Sequence, residues 1–311
     1  MNGEFEFLGW LERACRVQKN SRLLAGPGDD CAVLKTSPGK ILLATTDELA
    51  QGTHFREVLP APQLLAAKLL RVNLSDLAAM GSVKPLAVVC GAGLPPKTPA
   101  RWLKNFTLAL LDECVKFSTV LAGGNLARSK TLHVYLTAFG EADPKNLVSR
   151  NGAEPGDVIF SLGPLGLAAA ALELGKKAGR LSRFFWKPEP QLKAGDLIGR
   201  LKLASVLMDN SDGLYKSVMT LAKSSGCGAK LELSQDCLHP LLAEHCRKSK
   251  KDWRKYVLYG GEDYGLVAAV PPQKIKKFVL TFPAAARVGE MIKGKKVIVD
   301  GGAKGESYEH F

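Results

Sequence analysis

The run ILLATTD at residues 41–47 is decisive for the fold, because it passes directly from apolar side chains to hydroxyl and carboxyl groups. Such a run predicts a buried strand with polar residues at its end. The following segment, residues 62–80, places Leu70, Leu74 and Leu77 at helical spacing, which predicts an amphipathic helix. This alternation continues along the chain and predicts mixed α/β layers.

One segment is rich in Pro, Gly, Asn and charged residues and divides the chain in two: EADPKNLVSRNGAEPG at residues 141–156. We place a domain boundary there and predict two domains, 1–143 and 144–311, the second also α/β. Further strands are predicted at 85–94, 119–123, 132–139, 157–161, 205–208, 265–270 and 296–299, and further helices at 97–117, 165–174, 187–201 and 212–225.

Composition restricts the class of protein. The 311 residues are 46% hydrophobic and 23% charged, as in a folded globular protein. The chain contains no apolar run of about 18 residues, so we expect no membrane span. Seven cysteines without a CxxC pair predict reduced thiols and a cytoplasmic protein rather than a disulfide framework or a zinc site.

The net charge of +13 has two interpretations, attraction of nucleic acid or anionic substrates, or a surface of dispersed, solvated lysines. The tightest basic clusters, residues 247–251 and 274–277, have no interleaved aromatic residues for base stacking. The pattern therefore argues against nucleic acid as a partner.

Acidic residues gather at the ends of apolar runs, often beside glycine. Carboxylates together with Ser and Thr hydroxyls are hard ligands suited to Mg²⁺, and acids packed so closely would repel one another without a cation. Five such clusters predict a magnesium site formed by residues far apart in the sequence; they lie at residues 28–30, 45–48, 73–76, 209–213 and 260–263.

Each cluster also has a purely structural interpretation. Asp30 follows Gly26-Pro27-Gly28 and could lie in a plain loop, while Ser211 is in position to cap the helix that follows it. Gly124-Asn125 could form a turn or present N–H groups to a phosphate. His54 could be a half-buried structural histidine.

The ordered set of motifs resembles the thiamine-monophosphate kinases. The motifs are GPGDDCAVL, TTDELAQGTHF, VNLSDLAAMG, AGGNLARS, SRNGAEPGD, DNSDGL and YGGEDYGL, followed by SYEHF at the C-terminus. The resemblance implies a two-domain fold like that of aminoimidazole ribonucleotide synthetase. It also implies that the first domain binds ATP and metal, and that its sheet associates with a second copy in a homodimer.

The resemblance also implies the site residues. The magnesium ligands would be Asp30, Thr45, Thr46, Asp47, Asp76, Asn125, Asp209 and Asp212, of which Asp47, Asp76 and Asp212 would be catalytic. ATP would contact Gly124, Asn125, Arg150 and Ser211. Thiamine monophosphate would be held by His54, Glu262 and Tyr308.

Two positions depart from the family pattern: Asn125 replaces an Asp found in many members, and Ser217 stands where SDGLxxD usually ends in Asp. The expected reaction is Mg²⁺-assisted transfer of the γ-phosphoryl group of ATP to thiamine monophosphate, giving thiamine diphosphate. The alternatives are another ATP-dependent synthetase of the same superfamily, or a non-catalytic nucleotide- or RNA-binding protein.

Overall fold

The computed structural model describes residues 10, 14, 22–25, 33–56 and 59–300. The chain forms two compact units. The first contains the residues up to Leu77 together with Lys84–Pro144, and the second contains Ala78–Val83 and the residues from Lys145 onward.

The first unit is built on a four-stranded sheet with the strand order β3-β6-β4-β5, in which β3 and β6 are antiparallel and β4 and β5 are parallel. A separate pair of short strands, β1 and β2, is antiparallel. The elements are β1 (Leu23–Ala25), β2 (Val33–Leu34), β3 (Ile41–Ala50), α1 (Pro62–Ala79), β4 (Gly81–Leu94), α2 (Ala100–Lys116), β5 (Leu121–Arg128) and β6 (His133–Leu147).

The second unit contains a six-stranded sheet with the order β12-β9-β11-β7-β10-β8, antiparallel except for β12 and β9. Its strands are β7 (Val158–Leu162), β8 (Val206–Asp209), β9 (Gly228–Leu231), β10 (Leu266–Val270), β11 (Ala286–Ile292) and β12 (Val297–Val299). Its helices are α3 (Leu167–Leu174), α4 (Ser182–Trp186), α5 (Leu192–Leu201), α6 (Leu214–Ser225), α7 (Pro240–Ser249), α8 (Trp253–Tyr259) and α9 (Ile275–Thr281).

Helix α1 follows the predicted pattern closely. It begins at Pro62, whose fixed φ and missing N–H suit the first helical position. Leu70, Leu74 and Leu77 are all buried, which confirms the predicted apolar face. Gly81, with φ of 90°, follows the helix and begins β4.

The core of the second unit lies against β7 and β10, whose residues are all buried. Phe160 of β7 packs against Phe278 of α9, with the ring centroids 4.9 Å apart. Ile198 of α5 and Leu207 of β8 belong to the same cluster. These two strands therefore form the rigid support of the loops at the end of β8 and before β10.

Several predicted boundaries were wrong. The strand predicted over 132–139 continues as far as Leu147, because β6 extends its ladder with β3 to Glu141 and Ala142. The helix predicted from residue 187 begins only at Leu192, since the prolines at 188 and 190 disfavour helical backbone before them. The strand predicted from residue 85 begins at Gly81.

None of the helices in the described part of the chain has both the length and the apolar character needed to cross a membrane.

Candidate functional site

In the first unit, predicted metal ligands on β3 and α1 come together. Thr45 Oγ1 donates a hydrogen bond to Asp76 Oδ2 over 2.6 Å, joining the strand to the last turn of the helix. Asp47 lies two residues beyond Thr45, so its side chain leaves the same face of β3. All three side chains are half-buried. This corner of the unit therefore gathers a hydroxyl and two carboxyl groups.

Thr46 lies on the opposite face of the strand. Its hydroxyl donates to the carbonyl oxygen of Leu136 over 3.1 Å and accepts a hydrogen bond from Thr137 Oγ1 over 3.2 Å. The Thr46 side chain is thus engaged with β6 and points away from the Thr45–Asp76 pair.

His54 follows β3 and has a structural contact. The backbone N–H of Ala50 donates to its Nδ1 over 3.0 Å, so the ring proton of the neutral imidazole is on Nε2. The side chain is half-buried. The structural interpretation of His54 is therefore confirmed, while its contact with substrate stays a prediction.

Gly124 and Asn125 lie on β5, not in a turn. Gly124 pairs with Cys90 of β4, and a Cβ on it would lie 2.0 Å from the Cys90 carbonyl oxygen. Only glycine permits this close approach of the two backbones. Gly124 and Asn125 also line a small cavity of about 60 Å³ whose apolar wall includes Phe106 and Leu110 of α2.

In the second unit, the predicted residues follow β8. Asp209 ends this strand with only 2% of its surface exposed. Arg150 is exposed, and the carbonyl oxygen of Ser149 beside it accepts from the Leu207 N–H over 3.0 Å. The backbone beside Arg150 is therefore hydrogen-bonded to β8 at Leu207, two residues before Asp209.

The loop after β8 and the loop before β10 are joined by backbone hydrogen bonds. Glu262 N–H donates to the Ser211 carbonyl oxygen over 2.5 Å, and Tyr264 N–H donates to the Asn210 carbonyl oxygen over 2.9 Å. In return, the Asn210 N–H donates to the carbonyl oxygen of Gly265 over 2.9 Å. Ser211, predicted to bind ATP, is thus held against Glu262, predicted to bind thiamine monophosphate.

This pairing requires unusual backbone conformations. Glu262 and Tyr264 have φ of 63° and 50°, in the left-handed region that side chains with a Cβ rarely adopt. A Cβ on Gly261, with φ of 67°, would lie 2.8 Å from the Ser211 carbonyl oxygen. Residues held in such conformations cluster at functional sites, where the surrounding structure offsets the strain.

A buried polar network supports both loops. Ser217 Oγ donates to Asn210 Oδ1 over 2.9 Å, and Asn210 Nδ2 donates to Asp263 Oδ2 over 3.4 Å. The Gly166 N–H, just before α3, donates to both Asp263 oxygens at 3.0 and 2.8 Å. Ser217 and Asn210 are fully buried, and Asp263 is 7% exposed. Ser217 therefore anchors the loop that carries Asp209 and Ser211.

Burial raises the pKa of Asp263 to about 8, against the opposing effect of the N–H groups of Gly166 and Ala168. Sequence reasoning placed Asn210 and Asp263 only within the acidic clusters at 209–213 and 260–263 and gave neither residue a role of its own. The available signal was their position: each stands beside a predicted ligand and next to a tight turn.

The predicted capping role of Ser211 was wrong. The N-cap residue of α6 is Gly213, which has no side chain and so makes no side-chain cap hydrogen bond. Asp212 instead forms an ion pair with Lys216 over 2.9 Å, one helical turn further on. The predicted end of this helix at Gly226 is confirmed, since Gly226 is the left-handed C-cap residue.

The donor chemistry of both units fits Mg²⁺, a cation bound in proteins by one or two carboxylates together with waters and substrate phosphates. Within the ranges that the structure describes, no three His, Cys, Asp or Glu residues are grouped closely enough to hold a metal ion on their own. In the first unit, the hydrogen-bonded pair of Thr45 and Asp76 provides oxygen donors of this kind. Asp30 and Tyr308 lie outside the described residues.

The fold and these motifs define a class of proteins. The family model "AIR synthase related protein, N-terminal domain" matches residues 28–142, and "AIR synthase related protein, C-terminal domain" matches residues 154–302. The chain thus has the mixed α/β, two-domain fold of the AIR synthase related proteins. Hydrogenase maturation protein HypE in complex with ATP shares the fold, with a TM-score of 0.74 at 18% identity.

Relatives at higher identity narrow the class. The thiamine-monophosphate kinase of Escherichia coli strain K12 is 34% identical over 279 residues, covering 86% of this chain and 83% of its own length. That of Mycobacterium tuberculosis strain H37Rv is 32% identical, covering 96% of this chain and 88% of its own. The chain belongs to the thiamine-monophosphate kinase family.

Solved structures agree with this membership. Thiamine-monophosphate kinase from Stenotrophomonas maltophilia K279a superposes with a TM-score of 0.82 at 28% identity, covering 96% of this chain and 97% of its own. A structure described as AaThiL complexed with AMPPCP and TMP gives a TM-score of 0.79 at 28% identity, covering 99% and 97% of the two chains.

Proposed function

We propose that this protein transfers the γ-phosphoryl group of ATP to thiamine monophosphate, giving thiamine diphosphate and ADP. The observation that carries the proposal is the match, over nearly the whole chain, to AaThiL complexed with AMPPCP and TMP. The 34% identity to the Escherichia coli kinase supports the same reaction.

The chemistry places modest demands on acid–base catalysis. The acceptor phosphate has a second pKa of about 6, so it is mostly dianionic at neutral pH and needs no strong base. The main obstacle is the repulsion between two anionic substrates. When bound, Mg²⁺ would neutralise part of that charge, and we assign its side-chain ligands in the first unit to Thr45, Asp47 and Asp76. The Thr46 hydroxyl faces β6, so this residue would contribute only through its backbone.

In the second unit, Asp209 and Asp212 are the proposed carboxylate ligands. Asp209 is held by the end of β8, whereas Asp212 is paired with Lys216 and is more exposed. Asp30 and Asn125 complete the proposed set. Asp47, Asp76 and Asp212 are the residues whose charge we expect the reaction to depend on most.

ATP would be positioned by Gly124, Asn125, Arg150 and Ser211. The exposed guanidinium of Arg150 can bind a phosphate through two parallel hydrogen bonds. The acceptor would be held by His54, Glu262 and Tyr308, of which Glu262 is fixed by its backbone bond to Ser211. Holding both anions in line is the contribution that these residues make to the rate.

The direct test incubates the full-length protein with Mg·ATP and thiamine monophosphate and measures thiamine diphosphate and ADP together. We expect equal amounts of the two products, and none without acceptor or metal. Asp47→Asn should lower kcat by about 10²-fold or more at saturating Mg²⁺, because it removes a proposed ligand of the Mg²⁺ that neutralises the charge of the two substrates. Asp112→Asn, at an exposed position of α2, is the matched control and should retain wild-type kcat. Wild-type turnover by Asp47→Asn would refute the assignment.

We also propose a homodimer formed through the β3 and β6 face that carries Thr46, Thr137 and Tyr135. Leu42 lies on that face, four residues before Thr46, and is 50% exposed, while Tyr135 is 38% exposed. Exposed apolar side chains on a sheet face are typical of an interaction surface. Light scattering should give twice the 33.4 kDa chain mass for the wild type and the single mass for Leu42→Arg. Val115→Arg, at a 68% exposed position of α2, should remain dimeric. A monomeric wild type would contradict this proposal.

A cytoplasmic location is part of the proposal. Cys90, Cys227 and Cys246 are free thiols, and burial raises the pKa of each. Thiols kept in the reduced state are typical of a reducing compartment.

A further inference from the structure

The basic cluster at residues 247–251 meets a second basic segment in the second unit. The first cluster spans the end of α7, and the second consists of two short 3₁₀ turns, Gly175–Lys177 and Gly179–Leu181. Arg180 of the second segment pairs with Glu244 of α7 over 3.8 Å, which shows that the two segments adjoin. The sequence placed these clusters about seventy residues apart, and the fold brings them to one surface.

A groove of about 440 Å³ lies between the two segments, within the range of roughly 300–1,000 Å³ typical of small-molecule sites. Its apolar side chains include Leu174, Leu181 and Leu241, and Lys177 and Lys248 stand at its walls. Among the described residues that line the groove, none belongs to the proposed kinase site.

The two carboxylates of the groove are already paired. Glu244 accepts a hydrogen bond from Lys248 over 2.6 Å and also faces Arg180. Glu173 pairs with Lys251 over 2.7 Å. These three cations therefore face two carboxylates, and Lys177 in the groove lining adds a fourth positive charge.

The wall around Glu173 is fixed in place. The Tyr256 hydroxyl donates to Glu173 Oε2 over 2.6 Å, and burial together with that carboxylate raises the pKa of Tyr256, so it stays protonated. His245 Nε2 lies 3.2 Å from the same hydroxyl oxygen. Because the hydroxyl proton is directed to Glu173, His245 must donate from Nε2. The Glu173 carboxylate is thus already engaged by Lys251 and Tyr256.

We propose that this groove binds a small anion carrying phosphoryl groups, at a site separate from the kinase site. The excess of positive charge favours a ligand that carries about two negative charges or more. Cations that converge on a concave surface bind phosphoryl oxygens well. The groove lining contains no Phe, Tyr or Trp among the described residues, so it offers no platform for stacking nucleic-acid bases. A small ligand fits this surface better than a polynucleotide.

The test uses the full-length protein and inorganic pyrophosphate as the probe, measured by isothermal titration calorimetry with a non-hydrolysable ATP analogue and Mg²⁺ saturating the kinase site. The wild type should bind one pyrophosphate per chain. The double variant Lys177→Ala/Arg180→Ala should bind at least tenfold more weakly, because it removes two cations that face the groove. Lys276→Ala/Lys277→Ala on α9 removes the same charge elsewhere in this unit and should leave the affinity unchanged.

Three outcomes would overturn the proposal. The wild type could fail to bind pyrophosphate under these conditions, or both double variants could weaken binding equally, which would indicate only the general charge of the surface. The third is salt-dependent binding of a 30-nucleotide RNA that is lost in Lys177→Ala/Arg180→Ala while pyrophosphate does not bind. Formation of thiamine diphosphate is measured in parallel and should be unchanged by either double variant, so this proposal can fail independently of the kinase assignment.

Discussion

Replacing Ser217 by Ala tests whether this departure from the family pattern supports the site. The substitution removes one hydroxyl from a fully buried position on α6. That hydroxyl donates over 2.9 Å to Asn210 Oδ1, and Asn210 stands between Asp209 and Ser211. Alanine provides no replacement donor, and water has no access to a residue with 0% exposure.

The magnitude follows from these contacts. A buried acceptor left without its donor costs about 1–3 kcal/mol, and the Asn210 amide becomes free to leave Asp263. We therefore expect Ser217→Ala to lower the free energy of unfolding by about 2 kcal/mol. If Asn210 then moves, Ser211 moves with it, and the KM for ATP should rise by roughly tenfold, equivalent to about 1.4 kcal/mol of binding.

The assay is urea unfolding of the full-length protein, followed by steady-state kinetics with ATP and thiamine monophosphate. Thr220→Ala is the matched control on the same helix, because Thr220 Oγ1 donates only to the Lys216 carbonyl oxygen over 2.8 Å. It should change the stability by no more than about 0.5 kcal/mol. Equal stabilities for the two variants, with an unchanged KM for ATP, would refute the role given to Ser217.

Two further predictions concern pH. Glu113 is 4% exposed and forms an ion pair with Arg71 over 2.8 Å. Burial alone would raise the pKa of Glu113, but hydrogen bonds from Lys116 and Arg71 outweigh burial and lower that pKa. Glu113→Gln should therefore lower the free energy of unfolding by about 3 kcal/mol at pH 7. In urea unfolding, the stability difference between the variant and the wild type should shrink as the pH falls through the folded-state pKa of Glu113. A stability difference that does not change with pH would contradict this prediction. For Asp263 the sign is opposite, because its pKa is raised to about 8. The stability of the wild type relative to Asp263→Asn should decline by up to about 1.4 kcal/mol per unit between pH 5 and pH 8, and a pH-independent difference would show that the carboxyl is already ionised at pH 5.

Local periodicity predicted many of the elements. Helix α1 and strand β10 lie within a residue or two of their predicted limits, because each is a long or fully buried apolar run. The predictions failed where tertiary context decides. The predicted strand ended at residue 139, before the charged segment taken as the domain boundary, but Ser37 N–H donates to Glu141 Oε2 over 2.9 Å, and the Glu141 carboxylate forms an ion pair with Arg22. These contacts allow a charged residue within β6.

The predicted site was only partly accessible from the sequence. Thr45 and Asp76 could be named from their motifs, yet their hydrogen bond depends on how α1 packs against β3. Thr46 illustrates the same limit, since its position in the motif does not reveal that its hydroxyl faces β6. Residue types in an ordered set of motifs identify a family, whereas the direction of each side chain depends on strand alternation and packing.

The amino-acid sequence by itself determined the alternation of strands and helices, the order of the acidic motifs and the family. Periodicity and motif order are properties of neighbouring residues, so they can be read without coordinates. Only the tertiary structure joined Asn210 to Asp263, 53 residues apart, and placed the two basic segments on either side of one groove. The physical reason is that a buried hydrogen bond or a shared charged surface depends on distances in space, and those are set when the core packs.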